Sequence, residues 1–460
     1  MKKLLLILLI GSSFGLHAQS NLTLYHMETL PQRLQANPAQ DPDCQWYLGM
    51  PGISSVDFNF NSNGLALGKI NDAFIPRTNS DSFTFDITKL SNLLDKETFI
   101  NIGVNQDWIN FGFRVNKSLF TFNVTEKVKT RVSVPGDFFT FVFEGNGGNN
   151  LGKTFDFDWG VDVLHTREYA LGYQRSLLDD RLRVGGRLKY VYGLLAVNTE
   201  RNDLKFTTDP ESFALNIESD LKVNMASSYL QMGPGTIEPD PIKAAFGADN
   251  KGWGFDLGAS FDLTNRITLS ASLVDMGQLY WKENTVNYQS TNPGASFEFR
   301  GVDIKDYIGD SAEYTGGIEE LGDSLIEVFG LDSVNQNFTT TLLGEFYIGG
   351  TFKLTEKHKA GALFYGSFYN RNFYPALTLS WNSKFGRVLG LSASYTMMRG
   401  SFTNLGLGLS FNAGPEQLYF VSDNLIGAAT GNVKNLSIRF GWNHTFGRKK
   451  REEKKNEPKT

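Results

Sequence analysis

The sequence predicts an all-β fold: a transmembrane antiparallel β-barrel of about 14 strands, with an N-terminal luminal segment and short helices in its loops. Two patterns and one composition carry that prediction. In the last strand-like segment Leu436, Ile438, Phe440, Trp442 and Phe446 share one parity, while Ser437, Arg439, Gly441, Asn443 and Thr445 share the other. Successive strand side chains point to opposite faces, so one face is apolar and ends in aromatics and the other is polar. A strand between lipid and lumen requires that division. At the other end, Met1–Ala18 reads as a secretory signal. Across the whole chain 13% of residues are aromatic, including 37 Phe, and 47 are Gly, which suits many strands with aromatic girdles and tight turns.

In the signal, Lys2 and Lys3 supply the positive region, Leu4–Ile10 the apolar run and Gly11–Ala18 the exit, so cleavage is expected after Ala18. That run is too short to cross a bilayer as a helix, and no later apolar stretch approaches 18 residues. Transmembrane helices are therefore not expected. Cys44, the only cysteine, can form no intramolecular disulfide and is expected to be buried and inert. A net charge of −5 makes no case for nucleic acid.

Strands are expected near Trp46–Phe60, Phe99–Val115, Ser118–Val134, Glu168–Ser176, Arg181–Leu195 and Phe213–Met225. From Trp253 the alternation is explicit: Trp253, Phe255, Leu257, Ala259 and Phe261 oppose Gly254, Asp256, Gly258, Ser260 and Asp262. Thr264 and Asn265 turn the chain, and Ile267, Leu269, Ala271 and Leu273 resume the pattern. Later runs end in short turns at 384–387, 398–401 and 412–415, which describes an antiparallel meander. A soluble sandwich or propeller also alternates, but soluble strands average about 5–6 residues. These run about 9–12, the length that crosses a bilayer at a tilt, and no fixed repeat marks propeller blades.

With a periplasmic C-terminus, residues 423–433 fall outside the cell and 412–415 in the periplasm. Met276–Asn337 then forms a long outer loop, with a short helix expected over Ile318–Phe329 from its helical spacing. The chain divides into a signal (1–18), an N-terminal luminal or hatch segment (19–45), the barrel (46–447) and a charged periplasmic tail (448–460). Within the hatch, Pro31, Pro38 and Pro42 break up a polar stretch. A small helix is expected over Asp86–Leu94, and the tail is expected to be disordered.

No nucleophile elbow, phosphate loop, dinucleotide fingerprint or cysteine pair is present, and the histidines lack metal-ligand spacing. The protein is not expected to be an enzyme or to carry a cofactor. His444 falls on the apolar parity of the last strand, as an interfacial girdle residue would. The polar parity places Arg183, Arg187, Lys189, Asp256, Asp262, Glu345, Lys353 and Arg439 toward the lumen, where charges pair across the interior or set selectivity. Tyr280, Trp281 and Tyr288 fall in the outer loop as candidate contacts for a ligand or partner.

Three stretches, LYHMETLPQRLQANPA (24–39), SASLVDMGQLYWKENTVNY (270–288) and NLGLGLSFNAGPEQLYFVSDNLIG (404–427), resemble an uncharacterised family of outer-membrane barrels, a domain of unknown function, from Gram-negative bacteria with type IX secretion. More distantly the chain looks like FadL-type channels for hydrophobic compounds and their PorV-like relatives in secretion. The resemblance implies a 14-stranded barrel with an N-terminal luminal segment and supplies no catalytic or ligand residues. Two readings follow. One is a non-enzymatic channel in outer-membrane lipid for a small hydrophobic molecule. The other is a closed barrel that docks a secretion or surface protein partner.

Overall fold

Period-two patterning becomes long strands in the computed structural model of the chain, which describes residues 21–63, 74–76, 83–85, 97–233, 236–300, 327–342, 344–369, 372–398, 401–425 and 434–447. The ring strands are β1 (Trp46–Gly49 and Val56–Ser62), β2 (Glu97–Val115), β3 (Ser118–Pro135), β4 (Gly160–Leu177), β5 (Leu182–Thr208), β6 (Asn250–Asp262) and β7 (Ile267–Trp281). They continue as β8 (Glu345–Lys353), β9 (His358–Tyr369), β10 (Asn372–Phe385), β11 (Leu389–Met398), β12 (Ser401–Ala413), β13 (Glu416–Ser422) and β14 (Asn435–Phe446). Each pairs antiparallel with the next, and β14 returns to β1 with Phe446 opposite Trp46 and Arg439 opposite Asp57. The 14-stranded barrel is closed, and closure removes the unpaired edges that an open sheet would present.

Its faces are inverted relative to a soluble protein. Leu171, Leu188 and Leu257 point outward and are 65%, 58% and 52% exposed, whereas Glu168, Lys189 and Asp256 on the same three strands are 3%, 1% and 0% exposed. Aromatics cluster on the outer surface: Trp46 stacks on Phe446 at 3.8 Å and Tyr190 lies 4.6 Å from Trp253 between ring centroids.

Several elements differ from the sequence expectation. The first strand is interrupted at residues 50–55, where Ser54 and Ser55 are buried. Only the first part of β5, Leu182–Gly193, pairs with β6; from Leu195 onward it pairs with Leu215–Ser227. The strand expected at Phe213–Met225 is therefore not a wall strand. It belongs to a sheet extension with Thr285–Ser290, Ser296–Phe299 and Leu331–Val334. Its alternation is real, but alternation alone does not say whether a strand's neighbour lies in the ring; the length of β5 decides that. The long outer loop also begins later, because β7 runs on to Trp281. Of the helix expected over 318–329 only 327–329 are described, and they are helical. The expected signal (1–18), the helix over 86–94 and the tail lie outside the described residues.

Candidate luminal site

Residues 21–44 run inside the ring through two short 3-10 turns, Leu24–His26 and Pro31–Gln35, the second opened by Pro31, whose fixed φ suits a first helical position. Polar side chains tie this segment to strands on every side. The Thr23 amide donates to Asp423 Oδ1 at 2.8 Å, Tyr25 Oη meets Ser270 Oγ at 2.9 Å, and Gln32 Nε2 donates to Asn443 Oδ1 at 2.7 Å. Gln35 Nε2 donates to Asp107 Oδ2 at 2.8 Å, and Gln174 Nε2 donates to the Ala39 carbonyl at 3.0 Å. Asp423, within the 404–427 stretch, thus contacts the chain's own N-terminal segment.

The wall makes room for the segment with glycine. A Cβ on Gly185 would lie 2.3 Å from the Pro38 carbonyl oxygen, and one on Gly258 2.2 Å from Asn37 Oδ1, closer than non-bonded carbon and oxygen atoms pack. Ion pairs fasten the side nearest the short turns: Asp41 to Arg114 at 2.6 Å, Asp43 to Lys384 at 2.9 Å, and Glu28 to Lys359 and to Lys384. Burial opposes the Glu28 charge, but Lys359 and then Lys384 outweigh it and hold the carboxyl well below the usual range. His26 is buried and its Nδ1 lies 3.2 Å from Thr351 Oγ1; burial, aided by Arg33, pushes its pKa down to about 3.

Beyond the segment, a cavity of about 900 Å³ has Asn21 and Gln35 on its floor. A buried charge network lies at its side. Lys189 contacts Asp256 at 2.7 Å and also Asp275, Lys127 bridges Glu168 at 2.9 Å and Asp275 at 3.0 Å, and Arg187 reaches Asp256 at 3.0 Å. Asp275 joins through backbone geometry: its φ is +56°, and the β6–β7 register shifts beside it. Such a bulge re-aims one side chain, so Val274 is buried beside Asp275 while Leu273 and Met276 both remain outside.

The cavity reaches the outer surface of the wall. Its lining includes the exposed Phe255, Leu273, Met276 and Phe368 as well as the inward Lys127, Lys189 and Asp275. The opening coincides with a break in pairing: β7 leaves β8 after Val274 opposite Glu345 and next meets Phe338–Thr341, with Gln278 opposite Thr341.

The structure divides the luminal residues singled out in the sequence. Arg187, Lys189 and Asp256 meet in the buried network, and Glu345 lines the same cavity, accepting from Tyr347 Oη at 2.7 Å. Arg183 and Asp262 pair at 3.1 Å at the opposite mouth, where Lys353 pairs with Glu356 at 2.7 Å. Arg439 binds Asp57 at 2.9 Å on the closing seam. Tyr280 and Tyr288 are exposed, but Trp281 is fully buried against Val191, Leu279 and Leu342, with Nε1 donating to Thr340 Oγ1 at 2.9 Å. That corrects its expected place as an outer-loop contact: as a strand residue it falls on the inward parity. Lys127, Glu168 and Asp275 were missed, although a break in parity between Leu273 and Met276 marks the bulge in the sequence. Among the described residues no group of three or more His, Cys, Asp or Glu is placed to hold a metal ion.

Several solved structures are similar to the chain at low identity. The Pseudomonas putida toluene transporter TodX is 8% identical, with 90% of this chain and 94% of that one covered at a TM-score of 0.42. The Ralstonia pickettii toluene transporter TbuX is 10% identical over 90% and 94%, TM-score 0.43. A Pseudomonas aeruginosa FadL homologue is 10% identical over 92% and 98%, TM-score 0.37. No curated protein matches the chain. The model of one family, described as a family of unknown function (DUF5723), matches residues 38–423, and the chain, with its closed barrel and occupied lumen, belongs to that family.

Proposed function

We propose that this protein is a non-enzymatic outer-membrane channel for a small, largely hydrophobic molecule, with residues 21–44 as its plug and the gap beside β7 as a side passage. The observation that supports this reading is the cavity that joins charged luminal residues to exposed apolar side chains on the barrel's outer wall. The inverted faces, with the signal expected over Met1–Ala18, favour the outer membrane, because exposed leucines in such number need lipid around them.

The route follows from what is blocked. The cavity at the short-turn mouth shares no lining residue with the upper cavity, so the plug stands between them. A molecule that enters from the outer side has an exit past Met276 and Phe346 without any movement of the plug. An apolar body fits the window, while the Lys127–Asp275–Lys189 network offers donors and acceptors to one polar end.

The test is uptake of the uncharged fluorescent hydrophobe N-phenyl-1-naphthylamine by outer-membrane vesicles with and without the protein. Faster entry is expected, and Gly344→Trp should abolish the acceleration while leaving a folded, heat-modifiable band. A Cβ at Gly344 would already meet Met276 Sδ at 2.5 Å, so an indole there closes the window. Equal uptake with and without the wild-type protein would sink the reading.

A further inference from the structure

The short-turn mouth holds a second cavity, of about 950 Å³, whose lining carries seven Lys or Arg against four Asp. Five of the seven are bridged, Arg114 by Asp41, Lys117 by Asp180, Arg183 by Asp262, Lys353 by Glu356 and Lys359 by Glu28, so the local excess, in a chain of net charge −5, rests on Arg181 and Arg266. The cations come from four successive hairpins: Lys117 between β2 and β3, Arg181 between β4 and β5, Arg266 between β6 and β7, and Lys353 and Lys359 around the β8–β9 turn. Arg181 donates to the carbonyls of Asp262 and Leu263 at 3.3 Å, and neither it nor Arg266 has a bridging carboxylate among the described residues. Both are exposed.

We propose that this crescent of cations binds an acidic peptide segment of a partner protein, and that binding loosens the plug. Hairpin tips two strands apart sit about 9–10 Å from each other, so four of them span roughly 30 Å of arc. A compact phosphate cannot reach along that arc; an extended chain of about nine residues can. The mouth already binds peptide carboxylates in this way, because the plug's own Asp41 and Glu28 are held by Arg114 and Lys359, two residues of the same cavity. An acidic segment laid along the crescent competes for those two cations. The chain's own tail, residues 448–460, is rich in Lys and Arg and is therefore no candidate for the acidic occupant.

The experiment uses the full chain in detergent with fluorescein-labelled decaglutamate. At low salt the peptide is expected to bind, with affinity falling steeply between 20 and 200 mM salt, as screening shortens the reach of each charge. The plug supplies a second readout, because Cys44 is buried beside Leu34, Tyr47 and Leu119: saturating peptide should raise its maleimide labelling rate at least tenfold. Arg181→Glu with Arg266→Glu, neither of which touches the plug's ion pairs, should lower peptide affinity at least tenfold and abolish the labelling increase. Binding that survives this double reversal, as it would if the basic tail held the peptide, overturns the site. Tripolyphosphate binding as tightly as the peptide overturns the extended ligand, and binding with Cys44 labelling unchanged overturns the effect on the plug. None of these outcomes depends on flux through the upper cavity.

Discussion

Arg439 and Asp57 sit directly opposite each other across the seam that closes the barrel, Nη2 at 2.9 Å from Oδ2, both almost wholly buried. Asn59 and Asn105 also donate to Asp57 Oδ2, each at 2.9 Å, and the plug's Gln35 reaches Arg439 at 3.2 Å. Removing one partner strands a buried charge, which costs about 3–5 kcal/mol, whereas removing both is far milder. Arg439→Met should therefore lower the heat-modifiability midpoint strongly, and adding Asp57→Asn should recover most of the loss. A double variant as unstable as the single one would show that the pair is not what holds the seam.

Glycines facing the plug should be intolerant of side chains. Gly185→Val and Gly258→Leu each force atoms into Pro38 and Asn37, and overpacking of this kind costs about 1–3 kcal/mol. Because backbone is in the way at Pro38, the plug rather than the wall should yield. The expected outcome is a folded barrel in which maleimide labels Cys44 about tenfold faster; an unchanged rate would contradict the packing seen here.

Acid should weaken the plug. His26 has a pKa near 3 in the fold against about 6.5 unfolded. Between these values the unfolded chain binds more protons, so stability is complete above about pH 6.5 and falls as pH drops toward 3, by at most about 1.4 kcal/mol per unit. Glu28, held low by Lys359 and Lys384 against its burial, acts in the same direction once pH falls below its unfolded value. Midpoints measured at pH 7.5 and pH 5 should differ in the wild type and converge in His26→Gln. An equal pH dependence in that variant would assign the effect elsewhere.

The aromatics of the outer end should separate cleanly. Trp281→Ala empties a fully buried site and removes the donor to Thr340, a loss of about 3–5 kcal/mol. It should expose the sheet extension to proteolysis. Tyr280→Ala and Tyr288→Ala, at exposed positions, should stay within about 0.5 kcal/mol of the wild type. Limited trypsinolysis distinguishes the three.

The sequence alone determined the fold class, because a two-residue period with leucines on one parity and charges on the other has few stable solutions once lipid is the solvent. It also put Arg187, Lys189 and Asp256 on one face, since parity is a local property. Tertiary structure decided everything that depends on which strand lies beside which. That Leu215–Ser227 leaves the ring follows from the length of β5, and the pairing of Asp57 with Arg439 follows from closure between the two ends of the barrel. The bulge at Asp275 and the gap beside it arise where β7 changes partners. Asp41, Glu28 and Asp43 find their cations only because the N-terminal segment is threaded through the lumen. Those contacts join residues from 73 to 341 positions apart, and local patterning carries no information about them.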